Sequence, residues 1–305
     1  MSDKAERSTE GSDSELAPSR LGTQEYWDSN YVRELSNFSA DGDEGEVWFG
    51  ATSSDEILDW IARHMPSPMA TPTRVTFSHA TGSTEPAKTA GVGRESIQIL
   101  DGKSFFSLSP RDCTSLSAEE LSIYISTTVG CGNGQLLFLL AQGGYPVESL
   151  AGIDYSQSSI ELCVQISQAK GIQGLRLEVR DILRDPIVPP RRDGQRQGWD
   201  LITDKGTFDA ICLSDQTIDG QRLAQIYPLK IRDLLVKPGG IFLITSCNWT
   251  EEELMAKFVT PQTGFTFHSK IPRATFSFAG STGSTITTIA FQAGVPGSST
   301  TTAAS

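Results

Sequence analysis

The stretch Val129-Gly130-Cys131-Gly132-Asn133-Gly134 limits what this chain can fold into more than any other part of it. Three glycines at alternate positions follow β-branched residues and open an apolar helical segment at 135–142, the pattern of a strand-to-helix turn whose backbone must come close to something else. The surrounding chain agrees. Apolar, β-branched runs of strand length at 97–100, 150–153, 175–179, 201–203 and 241–245 alternate with helical segments at 135–142, 158–170 and 225–236. Such alternation predicts an α/β fold with a mostly parallel sheet covered by helices on both faces. The last two runs, 265–271 and 285–292, have no helix between them and predict an antiparallel C-terminal hairpin.

Residues 1–20 are rich in Ser, Glu and Asp and read as a flexible tail, with order beginning near Leu21. Trp27, Tyr31 and Leu35 recur at helical spacing and predict an amphipathic helix that packs on a larger body. A second helix is expected after Ser53-Ser54, which would cap it, with Asp55 and Glu56 in its first turn, Ile57, Trp60 and Ile61 on one face, and an end at Met65 before Pro66. Residues 66–94 read as an exposed Ser/Thr/Pro/Gly loop and 293–305 as a second tail, leaving 21–292 as one domain.

Within this frame several side chains point to chemistry. Asp154 closes a short apolar strand 20 residues past Gly134, where a carboxylate accepts hydrogen bonds from ribose hydroxyls. Gly130, Cys131, Gly132, Asn133 and Gly134 would line the same adenosine site, and Asp181 with Ile182, ending the next strand, would meet the amino group and ring face of an adenine. Asp204 lies in a polar cluster at the carboxyl end of the fourth strand, over the switch point where open α/β sheets bind ligands. Other chemistries fit less well. A dinucleotide turn requires a further glycine where Gln135 or Leu137 stands, and Gly102-Lys103-Ser104 lacks the earlier glycine of a phosphate loop. His64, His79 and His268 are scattered, and the five cysteines include no C-x-x-C pair, so no metal site is expected and the thiols are expected to be reduced. The net charge of −12 and the isoelectric point near 4.8 argue against a grip on nucleic acid or anionic lipid and suit a basic protein partner. No apolar run reaches membrane-spanning length, and the chain is expected in the cytoplasm, with the nucleus as a second location, acting as a monomer.

Taken in order, these residues resemble the Rossmann-like, seven-stranded methyltransferases that use S-adenosylmethionine, and more narrowly the fungal and animal lysine methyltransferases of eukaryotic elongation factor 1-alpha. The resemblance rests on Leu21-Gly22-Thr23 with Tyr26-Trp27, Gly45-Glu46-Val47-Trp48-Phe49-Gly50, the glycine turn, Asp154-Tyr155-Ser156, Asp204-Lys205-Gly206-Thr207-Phe208-Asp209, the run Thr245–Thr250 that includes Cys247-Asn248-Trp249, and Phe276-Ser277-Phe278. It implies methyl transfer to a lysine of that translation factor, S-adenosylmethionine as cofactor, and cofactor contacts from Asp154, Tyr155 and Asp204. Asp204, Asn248 and Trp249 are the candidates for a wall that positions the substrate lysine.

One departure concerns the first strand. The family ends it with an acid just before the glycine turn, whereas here Thr128 holds that place after Ser126-Thr127. Ile97-Gln98-Ile99-Leu100-Asp101 matches the expected strand, and joining Asp101 to Val129 restores the family pattern with Asp101 as a cofactor residue. The intervening 27 residues, 102–128, read as an insertion or a retained intron that supplies no strand the sheet lacks. With them in place, either 97–101 keeps the first-strand slot or 121–129 displaces it. The alternatives to an active methyltransferase are a methyltransferase-like binding module impaired by this insertion and an NAD-dependent oxidoreductase.

Overall fold

The computed structural model describes residues 15–65, 126–189, 198–234, 239–273, 276–278, 281–283 and 286–294. The strand expected at 97–100, Asp101, the Gly-Lys-Ser tripeptide, the loop 66–94, His79, residues 102–125 of the expected insertion, and most of both expected tails lie outside these residues.

Two helices precede the sheet. Helix α1, Gln24–Asp41, begins where the Thr23 side chain accepts from the Tyr26 N–H and stops at Gly42, whose φ of 81° suits a residue without a Cβ. Helix α2, Gly50–His64, starts five residues earlier than expected. Its N-cap is Phe49 in a left-handed conformation, and Ser53 and Ser54, expected as caps, are buried inside it. The chain then runs through β1 (Ser126–Val129), α3 (Gln135–Gln142), β2 (Leu150–Asp154), α4 (Gln157–Ala169), β3 (Arg176–Val179), β4 (Leu201–Lys205), α5 (Thr207–Cys212), α6 (Leu223–Leu234), β5 (Ile241–Ser246), α7 (Glu251–Phe258), β6 (Phe265–Lys270) and β7 (Thr287–Ala293).

These strands form one seven-stranded sheet in the order β3-β2-β1-β4-β5-β7-β6. The pairs among β1 to β5 are parallel, while β7 runs antiparallel to both β5 and β6. The antiparallel finish is as the sequence predicts, with a small ribbon of Phe276–Phe278 on Ser281–Gly283 between its two strands. Alternation along each strand divides the core between the two faces. Ile202, Phe242 and Phe291 join Phe208, Tyr227 and Phe258 on one side, and Leu201, Leu243 and Ala290 join Ile57, Trp60 and Leu137 on the other. Helix α2 is fastened to its face by Trp60 Nε1 donating to Ser269 Oγ (3.1 Å) and by Arg273 donating to Ser53 Oγ (3.0 Å).

Order reaches beyond the expected domain limits, because Leu16 packs on the core, the Ser19 N–H donates to the Leu213 carbonyl (3.0 Å), and Ala293 is a buried strand residue. The two described histidines are neighbours rather than scattered, with ring centroids 5.5 Å apart.

The central slot departs most from expectation. Ser126–Val129 fills it between β2 and β4, so the end of the stretch read as an insertion does supply a strand. A strand covered on both faces is ordinarily apolar, yet this one places three hydroxyls at the centre of the sheet. Thr128 Oγ1 bonds Thr203 Oγ1 at 2.9 Å, whereas Ser126 Oγ and Thr127 Oγ1 are buried without a partner among the described residues. Each orphaned hydroxyl forfeits its bonds to water for nothing in return. The isosteric change Thr127→Val therefore raises unfolding free energy by about 1 kcal/mol, as read by urea denaturation, and a loss of stability contradicts this placement of the strand.

Candidate functional site

The sheet brings the carboxyl ends of β1, β2 and β4 side by side, with Val129 in register with both Ile153 and Asp204. The glycine turn leaves β1 here and forms the floor of a cleft. Its conformation excludes other residues. Gly130 has φ 56°, and a Cβ on it would stand 2.1 Å from Thr207 Oγ1. Gly134 has φ 80°, and its Cβ would meet Cys163 Sγ at 2.2 Å. The Cys131 N–H donates to the Ile153 carbonyl (3.0 Å) and Ser159 Oγ donates to the Gly132 carbonyl (2.9 Å), so the turn is held from both sides.

Asp154, ending β2, is buried beside this turn. Its carboxylate accepts the Gly132 N–H and the Ser156 N–H, each at 3.0 Å, one on each oxygen. Burial raises its pKa, and the two N–H groups oppose that rise. A carboxylate oxygen accepts more than one bond, so each retains capacity towards the cleft. Tyr155 and Ile182 line the same space with Ile153 and Leu136. Asp181 does not line it. Its carboxylate is turned to the Leu183 N–H (2.8 Å) and the Arg184 guanidinium (2.5 Å), and the flanking Arg180 and Ile182 reach the cleft instead.

The polar cluster after β4 divides between the two faces. Asp204 is fully buried and faces away from the cleft: it accepts the Thr207 N–H (2.8 Å), the Phe208 N–H (3.1 Å) and the Tyr227 hydroxyl (2.5 Å), capping α5. Burial pushes its pKa up to about 7, against these bonds. A folded-state pKa above the unfolded value gives stability that is fully present below about pH 4 and is lost as pH rises through about 7. Glu34, Asp154 and Asp209 are raised by burial as well and act in the same direction. The melting temperature accordingly falls between these two pH values, and Asp204→Asn reduces the fall; an unchanged pH profile in the variant counts against the assignment.

Asn248 and Trp249 are not brought to this cleft. The Asn248 N–H donates to Ser246 Oγ (3.1 Å), and Ser246 in turn donates to Asp209 (2.5 Å). Trp249 is 4% exposed, lies 6.3 Å from Phe208 by ring centroids, and has Lys257 Nζ 4.2 Å above its ring. It floors a separate groove of about 370 Å³ beside α6 and α7. A large ring buried in this way serves the core, and Trp249→Ala is expected to cost about 3 kcal/mol or more of stability, measured by denaturant unfolding.

Sequence reasoning left several lining residues unassigned. Trp27, Tyr31 and Glu34 from α1, Glu46 and Trp48 from the segment after it, and Thr128, Lys205 and Thr207 around the sheet ends all face the cleft. The segment before α2 is tied across by side chains of the site itself. Asn133 Nδ2 donates to the Glu44 carbonyl (2.9 Å) and the Glu46 carbonyl (3.2 Å), and Lys205 Nζ donates to the Trp48 carbonyl (2.9 Å). Trp48 packs against Trp27 at 5.0 Å. The signal for these residues was present as two aromatic-rich motifs far upstream of the glycine turn, but spacing alone does not say which cleft they reach.

Residues 128–289 match the family described as "Methyltransferase domain". Protein-lysine N-methyltransferase efm4 of Schizosaccharomyces pombe is 36% identical over 91% of this chain and 95% of its own length. EEF1A lysine methyltransferase 2 of Homo sapiens is 33% identical over 94% of each chain. The chain belongs to the EEF1A lysine methyltransferase family. EEF1A lysine methyltransferase 2 of Danio rerio is 31% identical over 91% of this chain and 90% of its own length. The methyltransferase match begins at Thr128, where the central strand enters the glycine turn.

The residues of this methyltransferase fit an adenosyl sulfonium cofactor: the turn leaves no room for side chains where the backbone approaches, Asp154 offers carboxylate acceptors, and Ile153, Tyr155 and Ile182 give an apolar wall. Thr128 stands where the family's first acid is expected and lines the cleft with a hydroxyl already shared with Thr203.

Proposed function

We propose that this chain transfers a methyl group from S-adenosylmethionine to a lysine amine of translation elongation factor 1-alpha. The observation that carries the proposal is the union, in one cleft, of a side-chain-free glycine turn with the buried carboxylate of Asp154, in a chain of this family. The sulfonium methyl is already activated for transfer, so the protein's part is placement. Asp154 would hold the ribose hydroxyls, Tyr155 and Ile182 would cover the adenine, and the turn from Gly130 to Gly134 would carry the amino-acid end. Trp27, Trp48 and Tyr31 line the cleft and would exclude water from it when an acceptor is bound.

The proposal extends to the partner and the setting. The excess of acidic residues steers a basic protein surface towards the cleft, and the chain acts in the cytoplasm as a monomer on a protein substrate, without nucleic acid or membrane. No helix among the described residues is long and apolar enough to cross a membrane. We take 21–292 as one catalytic domain. The orphaned hydroxyls of β1 support the reading that the native first strand is 97–101 joined to Val129, so that Asp101 supplies the missing acid. A native peptide running from Asp101 directly into Val129 bears this out, and native peptides from within 103–126 refute it.

The activity is tested on elongation factor 1-alpha purified from cells with and without this gene. Peptide masses are expected to differ by methylation at a lysine and to be restored by the intact gene. Identical methylation in both preparations rules the assignment out.

A further inference from the structure

Lys205 is a partly buried cation that the proposed mechanism does not use. It ends β4, beside the inward-facing Asp204, and its side chain lines the cleft with Gly130, Thr128 and Asp154. Lysines are seldom taken out of water without a carboxylate partner. Among the described residues the amine's hydrogen-bond partner is the Trp48 carbonyl at 2.9 Å, with the Phe49 ring 6.0 Å away. That bond uses one N–H and restrains the amine at the carboxyl end of the sheet, with one aromatic ring beside it. An acceptor lysine requires the same surroundings: a restrained amine, little water, and the cofactor cleft within reach. Desolvation lowers the pKa of Lys205 to about 8, so part of it carries a free lone pair near neutral pH.

We propose that Lys205 is itself a methyl acceptor, and that the chain methylates this lysine in cis when no protein substrate fills the cleft. The inference rests on the cofactor reading above. In the step, the lone pair of the neutral Nζ forms a bond to the methyl carbon as the sulfur–carbon bond breaks. The bonding electrons remain on sulfur, converting the sulfonium to a thioether, and the resulting methylammonium releases a proton to solvent before any second transfer. The bond to Trp48 persists through a first and a second methylation, because an N–H remains on the charged product each time.

The test uses the purified full chain. It is incubated with isotopically labelled S-adenosylmethionine alone, and in parallel with elongation factor 1-alpha added, and peptide masses are mapped. Label is expected on the peptide containing Lys205, at a rate constant unchanged by dilution of the chain, and is absent from that peptide in Lys205→Arg. A second readout needs no cofactor: trace acetylation of Lys205 by acetic anhydride has its midpoint near pH 8, where a solvated lysine has one near 10.5. Label on elongation factor 1-alpha but never on Lys205 overturns self-methylation and leaves the proposed function standing. A Lys205 labelling rate constant that rises with chain concentration overturns transfer in cis. If the chain neither binds the cofactor nor labels any protein, both proposals fall.

Discussion

Gly130→Val is expected to abolish measurable binding of S-adenosylmethionine while leaving most of the sheet folded. A β-branched residue at φ 56° costs on the order of 1–3 kcal/mol in backbone strain alone. Its Cβ would also fall 2.1 Å from Thr207 Oγ1, a hydroxyl that donates to the Val129 carbonyl at 2.9 Å and so fixes the start of α5 to the turn. The conflict is relieved by moving the turn or the helix. Either movement displaces the backbone that the cofactor has to approach. Each 1.4 kcal/mol lost is a factor of ten in affinity, so a loss of at least about 100-fold is expected by titration calorimetry. Circular dichroism separates this from global unfolding, and near-normal affinity in a folded variant contradicts the assigned floor of the site.

Asp154→Ala is the second large effect. The change removes the acceptor for two N–H groups, of Gly132 and Ser156, at the buried end of β2. It also removes the carboxylate assigned to the ribose. Hydrogen bonds to a charged group contribute about 1.5–3 kcal/mol each, so losing those to two ribose hydroxyls corresponds to about 100-fold or more in cofactor affinity. The burial that raises the pKa of Asp154 also makes the variant easier to fold, which separates the two consequences: binding falls more than stability does. An equal effect on both makes Asp154 a structural brace and not a cofactor ligand.

The parallel core was legible because its rules are local. The runs at 150–153, 201–203 and 241–245 are mainly apolar, and each starts with its observed strand and ends one or two residues before it does. The glycine turn was legible for a related reason, since its alternating glycines have no cheaper explanation than positive φ. Ser126–Val129 was not legible as the central strand, because Ser-Thr-Thr is a poor candidate for burial on both faces and a better run lies upstream. Asp204 illustrates a different limit. A carboxylate at the end of a strand can turn into the cleft or back into the next helix, and only the position of Tyr227, brought under it by α6, selects the second. Trp249 was misplaced for the same reason: the sequence put it at the end of β5, where the contacts of Phe208 and Lys257 draw it to the opposite groove. Lys205 and Trp48, far apart in the chain, meet only through the fold.

The central claim is that this cleft delivers a methyl group to a lysine of elongation factor 1-alpha. It is tested most directly by incubating the purified full chain with methyl-labelled S-adenosylmethionine and unmodified elongation factor 1-alpha, then locating the label by peptide mass and fragment analysis. Label on a lysine Nζ of the factor, absent when Gly130→Val replaces the native chain, is the predicted result. Failure to label the factor by a chain that binds the cofactor, or label on a residue other than lysine, contradicts it.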